Sequence, residues 1–233
     1  MLSEDYMSSL KQTERGFSLL ELLIAMVVTL TLMTAGTTLL AHALRVRARE
    51  NQKSDALADT QRALNIMSRE IADAGFNVNG NGLVDSDSGI HEIRVRSNLN
   101  KYDHDPSVSD ASRANVQDPG EDITYFINDA DNTKYLARHD NYGSGSTVLA
   151  NRIDSMNVHY FSGKVTYTAA PGAADISGVS AAEVSPSAAK YIVIAVSVTL
   201  DQIGSPGSSG FQPRYSVLLC SDVILRNSDL WKY

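Results

Sequence analysis

From Phe17 to Leu44 the chain runs FSLLELLIAMVVTLTLMTAGTTLLAHAL, apolar around nearly the whole circumference of a helix and carrying one formal charge, Glu21. At ~1.5 Å rise per residue this run makes a helix of ~42 Å, longer than the ~30 Å hydrocarbon core of a bilayer, so it predicts a membrane span. Beyond it the apolar positions narrow to one stripe. Leu57, Thr60, Leu64, Met67, Ile71 and Ala74 recur at a 3-4-3-4-3 spacing, while Arg62, Arg69, Glu70 and Asp73 take other faces. Gly75 supplies a stop signal. The pattern predicts one long helix over residues 17–74 whose second half packs a single face on a head domain. Gly36, beside Thr37 and Thr38, is its weakest point, since an interior glycine costs ~1 kcal/mol relative to alanine.

After Gly75 the period changes from 3.6 to 2. Ile93/Val95, Ile123/Tyr125/Ile127, Val158/Tyr160, Val165/Tyr167, Ile192 to Leu200 and Val217 to Leu225 are alternating or β-branched segments separated by Gly, Asn, Asp and Ser. They predict an antiparallel β-sheet, with Tyr191 to Leu200 as a central strand because both its faces are apolar. Residues 97–120, 169–187 and 204–210 read as loops. The fold class is therefore α+β, a long N-terminal helix packed on an antiparallel β head, divided into 1–16, 17–44, 45–75 and 76–233. The one-faced patterns from about Glu50 onward also predict that the head folds as a soluble fragment.

At 233 residues the chain has room for one domain plus an appendage. Mean hydropathy of -0.16 with 43% hydrophobic residues excludes both a disordered chain and a polytopic membrane protein. The balance of 20 Lys+Arg against 27 Asp+Glu gives net charge -7. Residues 76–233 hold 12 basic and 18 acidic groups. This acidity disfavours a phosphate-tracking surface, and no nucleic-acid partner is expected.

Candidate chemistry changes the picture little. His42, His91, His104, His139 and His159 fall in no metal-ligand motif, and neither a G-x-S-x-G nor a P-loop occurs. No enzyme activity and no cofactor are expected. The lone cysteine, Cys220, excludes an intrachain disulfide and reads as a small buried hydrophobe beside Val217 to Leu219. Asn77, Asn79, Asn81 and Asp85 stand at positions 1, 3, 5 and 9 of a calcium-loop spacing, with Gly82 at 6 and Val84 at 8. The closing glutamate is missing, Ser88 stands in its place and the first three side chains are neutral amides, so the segment reads as a turn after a helix. Asp103, Asp105, Asp129 and Asp131 read as solvated loop carboxylates, and Tyr102, Tyr142 and Phe211 as loop aromatics that an adhesive surface could use.

The start of the chain is more specific. Lys11 and Arg15 precede the apolar run and Arg45, Arg47 and Arg49 follow it, so basic residues flank both ends and do not orient it. The run is too long for a secretory signal of ~7–15 apolar residues, and no A-x-A-like site closes it. Glu21 inside it costs ~2.5–3.5 kcal/mol on insertion scales, which marks it as a functional candidate.

The stretch KQTERGFSLLELLIAMVVTL closely resembles the N-termini of type IV pilins and of the pseudopilins of type II secretion. The resemblance implies that 1–16 is a leader peptide, that a prepilin peptidase cuts after Gly16, and that Phe17 becomes N-methylated. It further implies that Glu21 meets the α-amino group of a neighbouring subunit. The leader would then be cytoplasmic, the helix held in the inner membrane and the head exported. Many pilins carry a proline that loosens the helix on assembly; this helix has none. DITYFINDADNTKYLARHD, VLANRIDSMNVHYF and SDVILRN resemble PilW-type minor pilins, with related elements in J-type pseudopilins. That resemblance implies a minor pilin that primes assembly of, or sits at the tip of, a type IV pilus on the cell surface. Its partners would be other minor pilins, the major pilin and the peptidase. A J-type minor pseudopilin of type II secretion is the alternative, and a ligand-binding adhesin at the pilus tip is an alternative of another class. The lack of a C-terminal cysteine pair argues against a bulk filament subunit.

Overall fold

A computed structural model describes residues 16–101, 106–129, 134–151 and 153–228. Helix α1 (Leu19–Ala72) runs 54 residues without a break, and Gly36 does not interrupt it. Around that glycine, threonine hydroxyls turn back on carbonyls of the preceding turn. Thr34 donates to Leu30 O at 2.8 Å and Thr38 to Ala35 O at 2.8 Å, so these polar groups are satisfied inside the helix. Residues 16–40 are exposed throughout, whereas Thr60, Leu64, Met67 and Ile71 of the predicted stripe are buried together with Ala63 and Ala72.

The helix ends at Ala72, and the chain turns at Gly75 (φ +82). Gly82 comes back against this turn so closely that a Cβ on it would lie 2.1 Å from Gly75 N. A side chain at 82 would push the two segments apart.

Two antiparallel sheets cover the buried helix face. The first is a meander of β1 (Glu92–Arg96), β2 (Asp122–Asn128), β3 (Tyr135–Asp140) and β4 (Gly145–Asn151), with a short helix α2 (Asp110–Ala114) in the β1–β2 connection. The second holds β5 (Ser155–Phe161), β6 (Tyr191–Leu200) and β7 (Tyr215–Ile224), with β6 in the middle and buried on both faces. A bond from Val158 N to Ile90 O at 2.8 Å joins the second sheet to the start of the first. Ile93, Tyr125 and Leu136 from one sheet and Met156, Val158, Ile192 and Ile194 from the other meet Leu64, Met67 and Ile71 in a single core. Continuous burial of this kind is what stabilises a helix whose own propensity is unremarkable.

The structure departs from the sequence reading in five places. Helix α2 falls inside the expected loop 97–120, started by Ser109, whose side chain accepts from Ser112 N. The one expected sheet is two. Strands β3 and β4 carry no strand signal in the sequence, because YLARHD and GSTVLAN mix charged, small and polar residues without clean alternation. Val165 and Tyr167 form no strand: they belong to the long connection 162–190, which lies over the outer face of the second sheet and packs on Phe161, Tyr191 and Val193. Cys220 is half-buried and falls on that outer face, one position out of step with the core residues Leu219 and Val223. Alternation decides this, since neighbouring strand residues point to opposite faces.

Candidate functional site

Gly16 and Phe17 precede the helix, and Phe17 is 84% exposed. Ser18 is the N-cap and Glu21 the third helical residue, the pair that makes a capping box. The Ser18 backbone N–H donates to Glu21 Oε2 at 3.4 Å. The carboxylate therefore lies in the first turn, beside unpaired amides and the positive end of the helix dipole. Gly16 and Phe17 lie directly before the helix and Glu21 in its first turn, so the three fall close together along the chain.

The other residues singled out in the sequence do not assemble into a site. Asn81 is buried and spends its side chain on structure: Nδ2 donates to Pro186 O (2.6 Å) and Ala189 O (2.9 Å), and Oδ1 accepts from Leu83 N (3.1 Å). Asp85 accepts from Ser187 N and Oγ, each at 2.6 Å, while Asn77 donates to Asn98 O and Asn79 is exposed. The calcium-loop spacing thus serves to pin a turn against the 186–189 segment. Among the described residues no group of three or more His, Cys, Asp or Glu side chains is placed to hold a metal. Tyr142 is exposed and Phe211 half-buried, whereas Tyr102, His104, Asp103, Asp105 and Asp131 lie outside the described residues.

Sequence reasoning missed three polar clusters. The first ties the helix to the sheet: Tyr125, fully buried, donates its hydroxyl to Glu70, which also accepts from Arg138 Nε at 2.9 Å. Burial, then the Glu70 charge, pushes the Tyr125 ionisation well up. In the second, fully buried Asp122 takes a two-pronged bond from Arg94 (2.6 and 2.8 Å) and another from Arg96 (2.8 Å). Burial alone would raise the Asp122 carboxyl, but the hydrogen bonds from the two arginines outweigh it and hold the group below its ordinary value.

The third cluster pins the 162–190 connection. His159 is 6% exposed, with Nδ1 2.7 Å from Glu183 Oε1 and Nε2 2.8 Å from Asp175 Oδ1. Burial lowers its pKa, but hydrogen bonds to the two carboxylates outweigh burial and raise it. The only sequence signal for this cluster is a histidine among the β-branched and aromatic residues of a strand; its partners stand 16 and 24 positions away. Nearby, burial and then the charges of Asp222 and Asp175 push the Cys220 thiol up to about 11, which leaves it a poor nucleophile.

The basic residues after the apolar run are also partly committed. Arg45 Nη1 donates to Ser208 Oγ at 2.9 Å and to Ser209 O, and Arg49 donates to Asp201 O (2.5 Å) and Pro213 O (2.6 Å).

A family model described as the prokaryotic N-terminal methylation motif matches residues 11–37, a stretch that contains Gly16, Phe17 and Glu21. Comparison with curated proteins and with solved structures gives no match. Among the described residues one helix, α1, is long and apolar enough to cross a membrane, and it lies near the N-terminus. The motif belongs to structural rather than catalytic proteins, and it implies processing by a prepilin peptidase and assembly partners in a pilus or secretion system. Taken with the exposed apolar helix and the antiparallel β head, it supports a type IV pilin-like or pseudopilin protein anchored in the inner membrane.

Proposed function

We propose that this chain is a minor pilin that primes assembly of, or sits at the tip of, a type IV pilus. Residues 17–44 store it in the inner membrane, 1–16 is a cytoplasmic leader, and the peptidase cut falls between Gly16 and Phe17, followed by N-methylation of Phe17. The observation that carries this reading is the apolar half of α1, exposed without a break through residue 40 and lying mostly inside the methylation motif at 11–37. A helix apolar all round is stable in lipid or among like helices and nowhere else, so assembly exchanges one for the other. Glu21 resists that exchange unless its charge is met, and the amine of a neighbouring Phe17 is a partner of the right sign and depth.

Mass analysis of the mature N-terminus and identification of the pilins that co-purify from native membranes test the proposal together. A methylated Phe17 terminus with other minor pilins and the major pilin supports it. Type II secretion pseudopilins in their place would move the protein to a J-type tip subunit. An intact Met1 in cells with active peptidase, or no pilin-like partner, would refute it.

A further inference from the structure

The hydrocarbon of a bilayer takes up ~20 helical residues, so a span counted from Glu21 ends near Ala41. That is also where the head first covers the helix: residues through 40 are exposed and Ala41 is half-buried. The covering element is the β6–β7 connection, residues 201–214. It is held as a strap along α1 by the bonds of Arg45 and Arg49 to Ser208, Ser209, Asp201 and Pro213. Its own base is closed by Ile203 and Gln212, which exchange backbone bonds of 2.9 and 3.0 Å. At its tip Gly210 (φ +75) lies so near the helix that a Cβ there would come within 2.9 Å of His42 Cα.

The chemistry of this collar differs from that of the rest of the molecule. Arg45, Arg47, Arg49 and Arg214 face two carboxylates in the same segments, Glu50 and Asp201, on a chain whose net charge is -7. The acceptors bonded by Arg45 and Arg49 are neutral oxygens, and among the described residues neither guanidinium forms an ion pair. Arg47 and Arg214 are exposed, Tyr215 is exposed and Phe211 half-buried. Arginine and aromatic side chains grouped at the end of a span suit the headgroup layer, where anionic lipid attracts each cation and amphipathic rings settle.

Building on the proposed membrane-stored subunit, we infer that the 201–214 strap, together with Arg45, Arg47 and Arg214, is a seat for anionic phospholipid headgroups on the exported side of the membrane. In the stored state the head then rests on the bilayer, and leaving the membrane means exchanging lipid headgroups for another surface.

The test uses the full chain in nanodiscs of phosphatidylglycerol or of phosphatidylcholine. A tryptophan probe is placed by Phe211→Trp in a Trp231→Phe background, with a nitroxide quencher on the lipid headgroup. A second probe, Leu32→Trp in the same background, reports on the span through a quencher deep in the acyl chains. The strap probe is expected to be quenched in phosphatidylglycerol discs and less so in phosphatidylcholine discs or at high salt. Combining Arg47→Glu with Arg214→Glu should at least halve that quenching while the Leu32 probe is unchanged. A quenched span probe beside an unquenched strap probe would sink the headgroup seat alone, as would strap quenching indifferent to lipid charge and to the double reversal. A span probe that escapes the acyl-chain quencher would overturn the membrane-stored reading itself, and the seat with it.

Discussion

Periodicity places Glu70 on a face of α1 other than the apolar stripe, and its carboxylate is the shared acceptor for Tyr125 and Arg138. Deleting the two partners should not be equivalent. Tyr125→Phe removes one bond and keeps the ring, an expected cost of ~1 kcal/mol, whereas Glu70→Ala strands a buried hydroxyl and costs ~2 kcal/mol or more. Chemical denaturation of the detergent-solubilised chain checks this. The double variant should be less destabilised than the sum of the singles, and strict additivity would show that the pair is not coupled. The other residue-scale prediction concerns Glu21. Glu21→Ala should ease membrane insertion by ~2–3 kcal/mol yet lower recruitment into the filament complex. Glu21→Gln should lower recruitment as well, and peptidase cleavage should persist in both. Cross-linking to partner pilins at matched abundance measures it, and unchanged recruitment in both variants would leave Glu21 as a helix-capping residue only.

At the scale of elements, the connection over the second sheet is held by a histidine whose pKa folding raises. Asp175 and Glu183 face His159 from the connection itself and the Phe161 ring stacks beside it, while Tyr167 of the same connection donates its hydroxyl to Asp222 of β7 at 2.7 Å. A histidine whose pKa is raised by folding contributes stability that is fully present below its ordinary value of ~6.5 and is lost as pH rises through the folded value. Hydrogen exchange, corrected for its intrinsic pH dependence, should therefore show residues 162–190 losing protection relative to β6 as pH rises from the ordinary histidine value of ~6.5 through the higher folded one. His159→Gln should abolish that dependence. A flat profile in the parent protein would mean that the small apolar cluster of Phe161, Val165, Tyr191 and Val193 holds the connection unaided. The Asp122 cluster responds at the other end of the scale: its lowered pKa gives stability that is present above the ordinary carboxylate value and is lost as pH falls through the folded one.

For the whole molecule, the strap changes where the soluble part begins. A fragment from Glu50 omits His42, Arg45 and Arg49 and leaves the 201–214 loop without its anchors. A fragment from Ala41 keeps them. Both should be soluble, because the unbroken run of exposed apolar helix ends at 40. The longer should melt ~4–8 °C higher, since the four bonds of Arg45 and Arg49 to the strap, worth ~2 kcal/mol together after solvent screening, shift a domain of this size by ~2–4 °C per kcal/mol. Equal melting temperatures in calorimetry would show that the helix does not hold the strap.

The sequence by itself determined an apolar helix long enough to cross a bilayer, the buried stripe of α1, the two-residue alternation of β1, β2, β5, β6 and β7, and the Gly16–Phe17…Glu21 motif. Each is a local property: a period, a length or a motif can be read without knowing what lies across the fold. Tertiary structure decided the rest. Whether the strands made one sheet or two depended on the break between β4 and β5, and β3 and β4 are strands because their neighbours pair with them, not through their own composition. Cys220 lost its place in the core to the parity of its strand. His159, Asp122, Glu70 and Arg49 gained partners 16 to 164 positions away. Apolar burial is non-directional and follows the local pattern, whereas a buried charge is tolerated only where a specific donor or acceptor arrives within hydrogen-bond distance, and that arrival is a property of the folded chain.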